Sequence, residues 1–259
     1  MPTQSAGVFD AAIIGAGAIG SAVAHSLAQF KPDWKIIVLE KEHGVAQHTS
    51  GRNSGVIHSG FNQNPGSLKA KFCVLGNQML RAFAVSRNIP VKNVGTLVVA
   101  QEEKEIGVLE DLLRRGLANG VPGIEIIDRF KLREMEPNAM GLAALHAPTG
   151  AIIDGRTYVE QLAQEAKEKG VRFLFIHKVI AVEEAPRGYQ IVVKTSASRL
   201  VLDVSRVINC AGLYADTIAH MTGVGLDYTI VPFRGEYYSL KPDRSSIIKS
   251  MIYPVPDLK

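Results

Sequence analysis

The feature that most constrains the fold is a glycine-rich turn, Gly15-Ala16-Gly17-Ala18-Ile19-Gly20, which fits the pattern G-x-G-x-x-G. It follows the apolar run Ala11–Ile14, which predicts a buried strand, and it leads into the helical spacing of Gly20–Phe30. A second apolar run, Lys35–Leu39, predicts another strand and is followed by Glu40. Together these segments predict a β-α-β unit of about 30 residues.

Each part of this unit has a role in binding a dinucleotide. Gly15 allows the tight turn, Gly17 lets a pyrophosphate approach the backbone, and Gly20 lets the helix pack close to the strand. The helix N-terminus offers N–H groups and a partial positive charge to the phosphates, and Glu40 accepts hydrogen bonds from a ribose. The competing interpretation is a tight turn without a ligand. The predicted binding residues are Gly15, Gly17, Ala18, Ile19, Gly20, Glu40 and Lys41.

Three further segments favour FAD over NAD. The polar loop Thr49–Gly55 follows the second strand and is rich in donors, although it also fits a plain surface loop. The apolar strand Val207–Asn209 runs into Ala211 and Gly212, whose small size lets a ligand lie against the backbone or allows close packing at a strand end. The strand Val171–Ile176 and the turn at Val179 offer backbone groups to an adenine. The further predicted binding residues are Thr49, Ser50, Arg52, Asn53, Ser54, Val179, Ala211 and Gly212.

The order of strands and helices predicts an α/β fold with a discontinuous, Rossmann-like FAD-binding domain. Residues 1–90 and 150–220 are expected to form it. Residues 91–149 and 221–259 are expected to form a second, mixed α+β substrate domain.

Two later regions carry more specific expectations. Helical spacing over Ser67–Ser86 predicts a helix with one apolar face. That face comprises Leu68, Phe72, Leu75, Met79 and Phe83. Short apolar runs predict strands at Ile230–Phe233, Tyr237–Leu240 and Met251–Tyr253.

Composition excludes several function classes. The net charge is +4, but the basic residues are scattered among acidic ones, so nucleic acid binding is not expected. Cys73 and Cys210 lack metal-ligand spacing and are expected to be reduced thiols of a cytoplasmic protein, with no metal site. The sequence contains no apolar stretch of about 18 residues, which a transmembrane helix requires. Residues 1–9 lack the pattern of a secretory signal.

A family resemblance lies in two neighbouring segments. His48-Thr49-Ser50-Gly51-Arg52-Asn53-Ser54-Gly55-Val56-Ile57-His58-Ser59-Gly60 and Pro65-Gly66-Ser67-Leu68-Lys69-Ala70-Lys71 resemble the L-2-hydroxyglutarate oxidases and dehydrogenases. These enzymes belong to the D-amino-acid-oxidase-like flavoproteins. Pro232–Tyr238 and Ile252–Asp257 are similar to later segments of the same family.

The resemblance implies FAD as cofactor and oxidation of L-2-hydroxyglutarate to 2-oxoglutarate, with hydride transfer to the flavin and a quinone or oxygen as electron acceptor. His58 is the expected catalytic base, or else a histidine that only hydrogen-bonds the cofactor or backbone. Arg234 is expected to bind a substrate carboxylate, with hydroxyl donors from Tyr237 and Tyr253, unless these tyrosines only pack in a sheet. Five other histidines are expected to be structural or exposed: His25, His43, His146, His177 and His220.

Two alternatives remain open at the level of sequence. The same fold serves FAD-dependent amino-acid and amine oxidases, such as glycine and sarcosine oxidases, which also need an arginine for a carboxylate. The family's chains are also longer, so the substrate domain is expected to be incomplete at the C-terminus, and a non-catalytic FAD-binding module is the third interpretation. The protein is expected in the cytoplasm. If a quinone is the acceptor, it is also expected to contact the inner membrane peripherally.

Overall fold

The computed structural model describes residues 3–256, with side chains from residue 7 onward. Asp257, the last residue of the second of the two later family-like segments, lies outside the described residues. The strands in chain order are β1 Thr3–Phe9, β2 Ala11–Ile14, β3 Ile36–Leu39, β4 Val56–Ile57, β5 Val91–Lys92, β6 Thr96–Ala100, β7 Glu125–Asp128, β8 Ala143–Ala147, β9 Ala151–Ile153, β10 Arg172–Leu174, β11 Lys178–Ala185, β12 Gly188–Lys194, β13 Arg199–Val204, β14 Val207–Asn209 and β15 Met251–Pro254. The α-helices are α1 Ala18–Phe30, α2 Leu68–Ser86, α3 Ile106–Ala118, α4 Arg129–Met135, α5 Gly155–Glu168 and α6 Ala215–His220.

The described chain divides into two compact units. The first unit runs up to Asn53 and resumes over Gly155–Gly235, and the second combines Ser54–Asp154 with the residues from Glu236 onward. This division differs from the sequence-based boundaries, which assigned residues 54–90 and 150–154 to the first domain and residues 221–235 to the second. Strand β9 pairs with β4 on one side and with β5 on the other, which joins the segments around residues 56–57 and 151–153 to the second unit.

A parallel sheet of order β10-β3-β2-β14 forms the centre of the first unit. Its two middle strands, β2 and β3, are buried along their whole length. Continuous runs of Ile, Val, Leu and Ala suit this position, because helices or a second sheet cover both faces of such a strand.

Side chains alternate between the two faces of this sheet. Ile13 and Val38 pack on one face against the small residues of α1 and against α5. Ile14 and Leu39 pack on the opposite face against a second sheet of order β1-β13-β12-β11. The first unit is therefore a three-layer sandwich, and the predicted β-α-β unit is confirmed.

The second unit is built on a mixed sheet of order β15-β6-β8-β7. Val98 on β6 packs with Leu109 and Leu112 of α3, whereas its neighbours Leu97 and Val99 pack on the other face with Leu132 of α4. Helix α3 is amphipathic, because Leu109 and Leu112 are buried whereas Leu117 is exposed. A small sheet of order β4-β9-β5 completes this unit.

Helix α2 forms where the sequence predicts it, and the Ser67 side chain caps it by accepting the N–H of Ala70 at 3.1 Å. Its apolar stripe does not face the core of the described chain. Four of the five stripe residues are exposed: Leu68, Phe72, Leu75 and Met79. The helix instead buries Ala70, Asn77 and Ala84.

The predicted strands Ile230–Phe233 and Tyr237–Leu240 are wrong. The segment has no regular structure, and Phe233 and Tyr238 are fully exposed. A strand needs a neighbouring strand to satisfy its backbone groups. None of the described strands pairs with this segment, and the N–H of Ile230 binds the Asp216 carboxylate instead, at 2.8 Å.

Candidate dinucleotide site

A cavity of about 580 Å³ lies in the first unit at the carboxyl ends of β2, β3 and β14. This volume falls in the range of about 300–1,000 Å³ that is usual for small-molecule and cofactor sites. The carboxyl edge of a parallel sheet is also where α/β proteins bind ligands. The predicted binding residues that line the cavity are Gly15, Gly17, Ala18, Ile19, Glu40, Lys41, Thr49, Ser50, Val179, Ala211 and Gly212.

The glycine turn is held by contacts that no larger residue would allow. Gly15 has a φ of +103°, and a Cβ on it would lie 2.5 Å from the carbonyl oxygen of Cys210. A Cβ on Gly20 would lie 1.9 Å from the carbonyl oxygen of Gly15. Gly20 does not line the cavity. Its role is the close packing of helix and strand that brings the N-terminus of α1 to the sheet edge.

Ser50 connects the polar loop to the start of α1. Its hydroxyl accepts the N–H of Ala18 at 2.9 Å, which caps a helix whose N-cap residue, Gly17, has no side chain. A Cβ on Gly17 would lie 2.9 Å from this hydroxyl, so Gly17 leaves the space that Ser50 occupies. The loop and the helix N-terminus thereby form one wall of backbone N–H groups with partial positive charge, which suits a phosphate.

Glu40 is fixed at the end of β3 by backbone donors. One carboxylate oxygen accepts the N–H of Ala16 at 2.7 Å, and the other accepts the N–H of Glu42 at 2.9 Å. Each carboxylate oxygen can accept more than one hydrogen bond. Glu40 can therefore accept ribose hydroxyls while it keeps its hold on the glycine turn.

A charged group lies beside Glu40 on the cavity wall. Lys41 Nζ and His48 Nε2 both donate to one oxygen of Glu42, at 2.7 and 2.8 Å. Hydrogen bonds from Lys41 and His48 lower the pKa of Glu42 to about 2. Burial acts to lower the pKa of Lys41, but its bond to Glu42 and the nearby negative charges raise it overall. Lys41 also lies over the ring of Tyr214, 4.5 Å from its centroid.

The far wall of the cavity comes from the segment between β10 and β11. The N–H of Ile176 binds the carbonyl of Glu42, and the N–H of His177 binds the carbonyl of Glu40, at 2.9 and 2.8 Å. Ile176 adopts a φ of +59°, which turns the chain at this point. These bonds place His177 in the cavity lining beside Val179.

Sequence reasoning missed several lining residues. His177 was expected to be structural or exposed, and His48, Tyr214 and Met221 were not proposed as binding residues. The usable signal was position, because His177 follows a predicted strand on the same sheet edge as Glu40. Tyr214 and Met221 carried no such signal, because Tyr214 ends a short 3-10 helix after β14 and Met221 directly follows α6.

Three predicted residues of the polar loop do not line the cavity: Arg52, Asn53 and Ser54. Asn53 instead stabilises the loop, since its side-chain amide donates to the carbonyls of Thr49 and Ser50 at 3.0 and 2.9 Å. Arg52 is exposed, and Ser54 belongs to the second unit.

The candidate substrate residues lie in different parts of the chain. His58 directly follows β4 in the second unit and is exposed. Partial desolvation and the charge of Lys69 lower the pKa of His58. Tyr253 is on β15 opposite Val98, and the side chain of Tyr237 is exposed. Arg234, also exposed, belongs to the first unit.

The fold and cavity define an α/β dinucleotide-binding protein of the Rossmann-like class. A family model described as FAD dependent oxidoreductase (DAO) matches residues 10–259. The chain belongs to this family, which confirms the predicted family and cofactor. The site fits FAD, because the bare backbone at Gly17, the α1 N-terminus and the Glu40 carboxylate provide the contacts that a pyrophosphate and a ribose need.

Known proteins similar to this chain extend the comparison. It is 42% identical to the L-2-hydroxyglutarate dehydrogenase of Indibacter alkaliphilus, covering 96% of this chain and 62% of that one. It is 40% identical to the mitochondrial L-2-hydroxyglutarate dehydrogenase of Homo sapiens, covering 98% of this chain and 57% of that one. The chain thus spans about three-fifths of the length of these relatives.

Solved structures agree on the fold. The FAD-bound L-alpha-glycerophosphate oxidase of Mycoplasma pneumoniae is 29% identical, with a TM-score of 0.78 over 96% of this chain and 65% of that one. The glycine oxidase of Geobacillus kaustophilus is 20% identical, with a TM-score of 0.73 over 83% of this chain and 58% of that one, and supports the fold alone. Among the described helices, none combines the length and apolar character needed to cross a membrane.

Proposed function

We propose that this chain is the FAD-binding part of an enzyme that oxidises L-2-hydroxyglutarate to 2-oxoglutarate. The observation that carries the proposal is 42% identity to an L-2-hydroxyglutarate dehydrogenase across 96% of this chain. That span includes both the cavity-lining loop and His58. Because the chain covers 62% of that relative, turnover by this chain is itself part of the proposal.

The glycine turn and Glu40 are proposed to hold the pyrophosphate and the adenine-side ribose of FAD. Lys41 adds a positive charge near this end of the cavity, where Glu42 holds its ammonium. When bound, FAD supplies the acceptor for the hydride that leaves the substrate carbon. The N-terminus of α1 contributes a partial positive charge that is in place before the cofactor arrives.

His58 is proposed to take the proton of the substrate hydroxyl. The lowered pKa favours the neutral imidazole near neutral pH, and a neutral ring nitrogen can accept a proton. Arg234 is proposed to bind a substrate carboxylate through its planar guanidinium, with Tyr237 and Tyr253 as hydroxyl donors. L-2-hydroxyglutarate carries two carboxylates, so the Arg234 guanidinium can pair with one of them while the two tyrosine hydroxyls donate hydrogen bonds to other substrate oxygens.

The test is the visible absorption of the purified, FAD-loaded chain before and after anaerobic addition of L-2-hydroxyglutarate. We expect the flavin absorption to bleach with this substrate and to persist with D-2-hydroxyglutarate, glycine and D-amino acids. His58→Gln should bind FAD normally but bleach about 10²–10⁴-fold more slowly, since it lacks the proton acceptor. Bleaching by amino acids alone would replace the proposal with an amine oxidase, and a yellow protein that no substrate bleaches would indicate a non-catalytic module.

The electron acceptor is proposed to be a quinone or oxygen, with the protein in the cytoplasm or in peripheral contact with the inner membrane. Reduced protein mixed with a short-chain quinone or with oxygen distinguishes the two, since the true acceptor restores the flavin absorption faster. Co-sedimentation with lipid vesicles tests contact with the membrane. The absence of binding would assign the protein to the aqueous phase.

A further inference from the structure

Helix α2 presents a row of hydrogen-bond donors on the face opposite its apolar stripe. Cys73, Asn77 and Arg81 follow one another at intervals of four residues, so they share one side of the helix. All three donate to backbone carbonyls of two loops, those of His58 and Thr149. The row therefore ties α2 to the loop that carries His58.

Asn77 is the central member of this row and makes its shortest contacts. Its side-chain Nδ2 donates to the carbonyl of His58 at 3.1 Å and to the carbonyl of Thr149 at 2.9 Å. The residue is only 6% exposed. Cys73 Sγ and Arg81 Nη1 contact the same two carbonyls at the longer distances of 3.8 and 3.4 Å.

The position of these carbonyls in the sheet explains why an amide is needed. Val56 and Ile57 of β4 pair with Ile152 and Ala151 of β9, and the pairing stops there. His58 and Thr149 are thus in the segments just beyond the end of the pair, where their carbonyls lack a partner from the ladder. A primary amide offers two N–H donors without a net charge, so one Asn77 can satisfy both.

We infer that Asn77 is a positioning residue for His58. The inference rests on the proposed role of His58 as proton acceptor. Asn77 sets the direction in which the chain leaves β4, and the direction of the backbone at His58 sets where its imidazole lies. A catalytic group displaced by about 1 Å can lower the rate by about 10²-fold.

The same loop is held a second time, farther along, by Asn119. Its Nδ2 donates to the carbonyls of Gly60 and Gln63 at 3.0 and 2.9 Å. Gly60 itself lies close to α2, because a Cβ there would be 2.9 Å from Val74. Asn119 therefore provides a matched control, since it makes the same kind of bridge in the same loop without contacting His58.

The experiment compares Asn77→Ser with Asn119→Ser in the FAD-loaded full chain. It measures kcat and KM for L-2-hydroxyglutarate, the melting temperature, and the titration of His58 by NMR of its ring, assigned with His58→Gln. We expect Asn77→Ser to lower kcat about 10- to 100-fold with little change in KM and to shift the His58 titration. Both variants should lower the melting temperature by similar amounts. Asn119→Ser, however, should leave kcat and the His58 titration unchanged.

Two results would overturn the inference. One is wild-type kcat and an unchanged His58 titration in Asn77→Ser, and the other is the same change in both variants. If the wild-type chain does not oxidise L-2-hydroxyglutarate, the proposed function fails, and the His58 titration alone decides whether Asn77 positions the ring. Should Asn77→Ser not fold, Asn77→Thr keeps one donor with more of the original volume and is judged by the same criteria.

Discussion

The contact between Gly20 and the Gly15 carbonyl predicts a large effect of one methyl group. In Gly20→Ala the new Cβ would lie 1.9 Å from that oxygen, whereas ordinary contact begins at 3.4 Å. To restore an ordinary contact distance, α1 must move about 1.5 Å away from the turn. The obstacle is backbone, so no side-chain rotation relieves it.

The cost follows from what α1 buries. Ala24 and Ala28 pack on the parallel sheet and would lose contact with it as the helix moves. Overpacking a core costs about 1–3 kcal/mol when side chains can adjust, so we expect about 3 kcal/mol or more here. At about 2–4 °C per kcal/mol for a chain of this size, the melting temperature should fall by about 6–12 °C.

The assay is thermal unfolding by circular dichroism without added FAD, so that cofactor binding does not contribute. Gly76→Ala is the control, because Gly76 is inside α2 and an added Cβ would meet nothing within 4 Å. Gly76→Ala should raise the free energy of unfolding by about 0.5–1 kcal/mol, because alanine favours a helix more than glycine does. A Gly20→Ala melting temperature within about 2 °C of the wild type would refute the close packing of turn and helix.

Two further predictions concern the cavity wall. Ser50→Ala removes the acceptor of the Ala18 N–H and should cost about 1 kcal/mol of capping free energy. If the loop thereby loses its place at the phosphates, the same free energy corresponds to about 5-fold weaker FAD binding. A fluorescence titration that gives an unchanged Kd for FAD would contradict this prediction. Glu42, with a pKa of about 2 in the fold against an ordinary 4.5, stabilises the protein fully above about pH 4.5 and loses that contribution as pH falls toward 2. Glu42→Gln should therefore be less stable than the wild type at about pH 6 by urea unfolding, with a gap that narrows at about pH 3, and a constant gap would count against the ion-paired carboxylate.

The sequence predicts the first unit well where the signal is local. The runs Ala11–Ile14 and Lys35–Leu39 gave β2 and β3 almost residue for residue, because buried parallel strands are short and continuously apolar. The turn between them was predictable because glycine alone tolerates the backbone of Gly15 and the contact at Gly20. These features depend on neighbours within the same β-α-β unit.

Prediction failed where the outcome depends on a partner far away in the chain. The spacing of Leu68, Phe72 and Met79 correctly indicated a helix, but spacing alone cannot specify what covers its apolar face. The runs Ile230–Phe233 and Tyr237–Leu240 have the composition of strands, yet a strand forms only beside another. Composition describes the side chains of one segment, whereas the hydrogen-bond ladder of a β-sheet requires two segments.

Some cavity residues lie close together in the sequence, whereas others come from distant parts of the chain. This difference explains which of them could be predicted from the sequence. Gly15, Glu40 and Ser50 come from one stretch of sequence, so a motif identifies them together. His177 and Tyr214 reach the same cavity only because the strand order β10-β3-β2-β14 places the ends of β10 and β14 on either side of the central pair. Since that order is set by packing across the whole unit, only Val179, Ala211 and Gly212 of the opposing wall were predicted from the strand ends, and residues such as His177 must be found from topology.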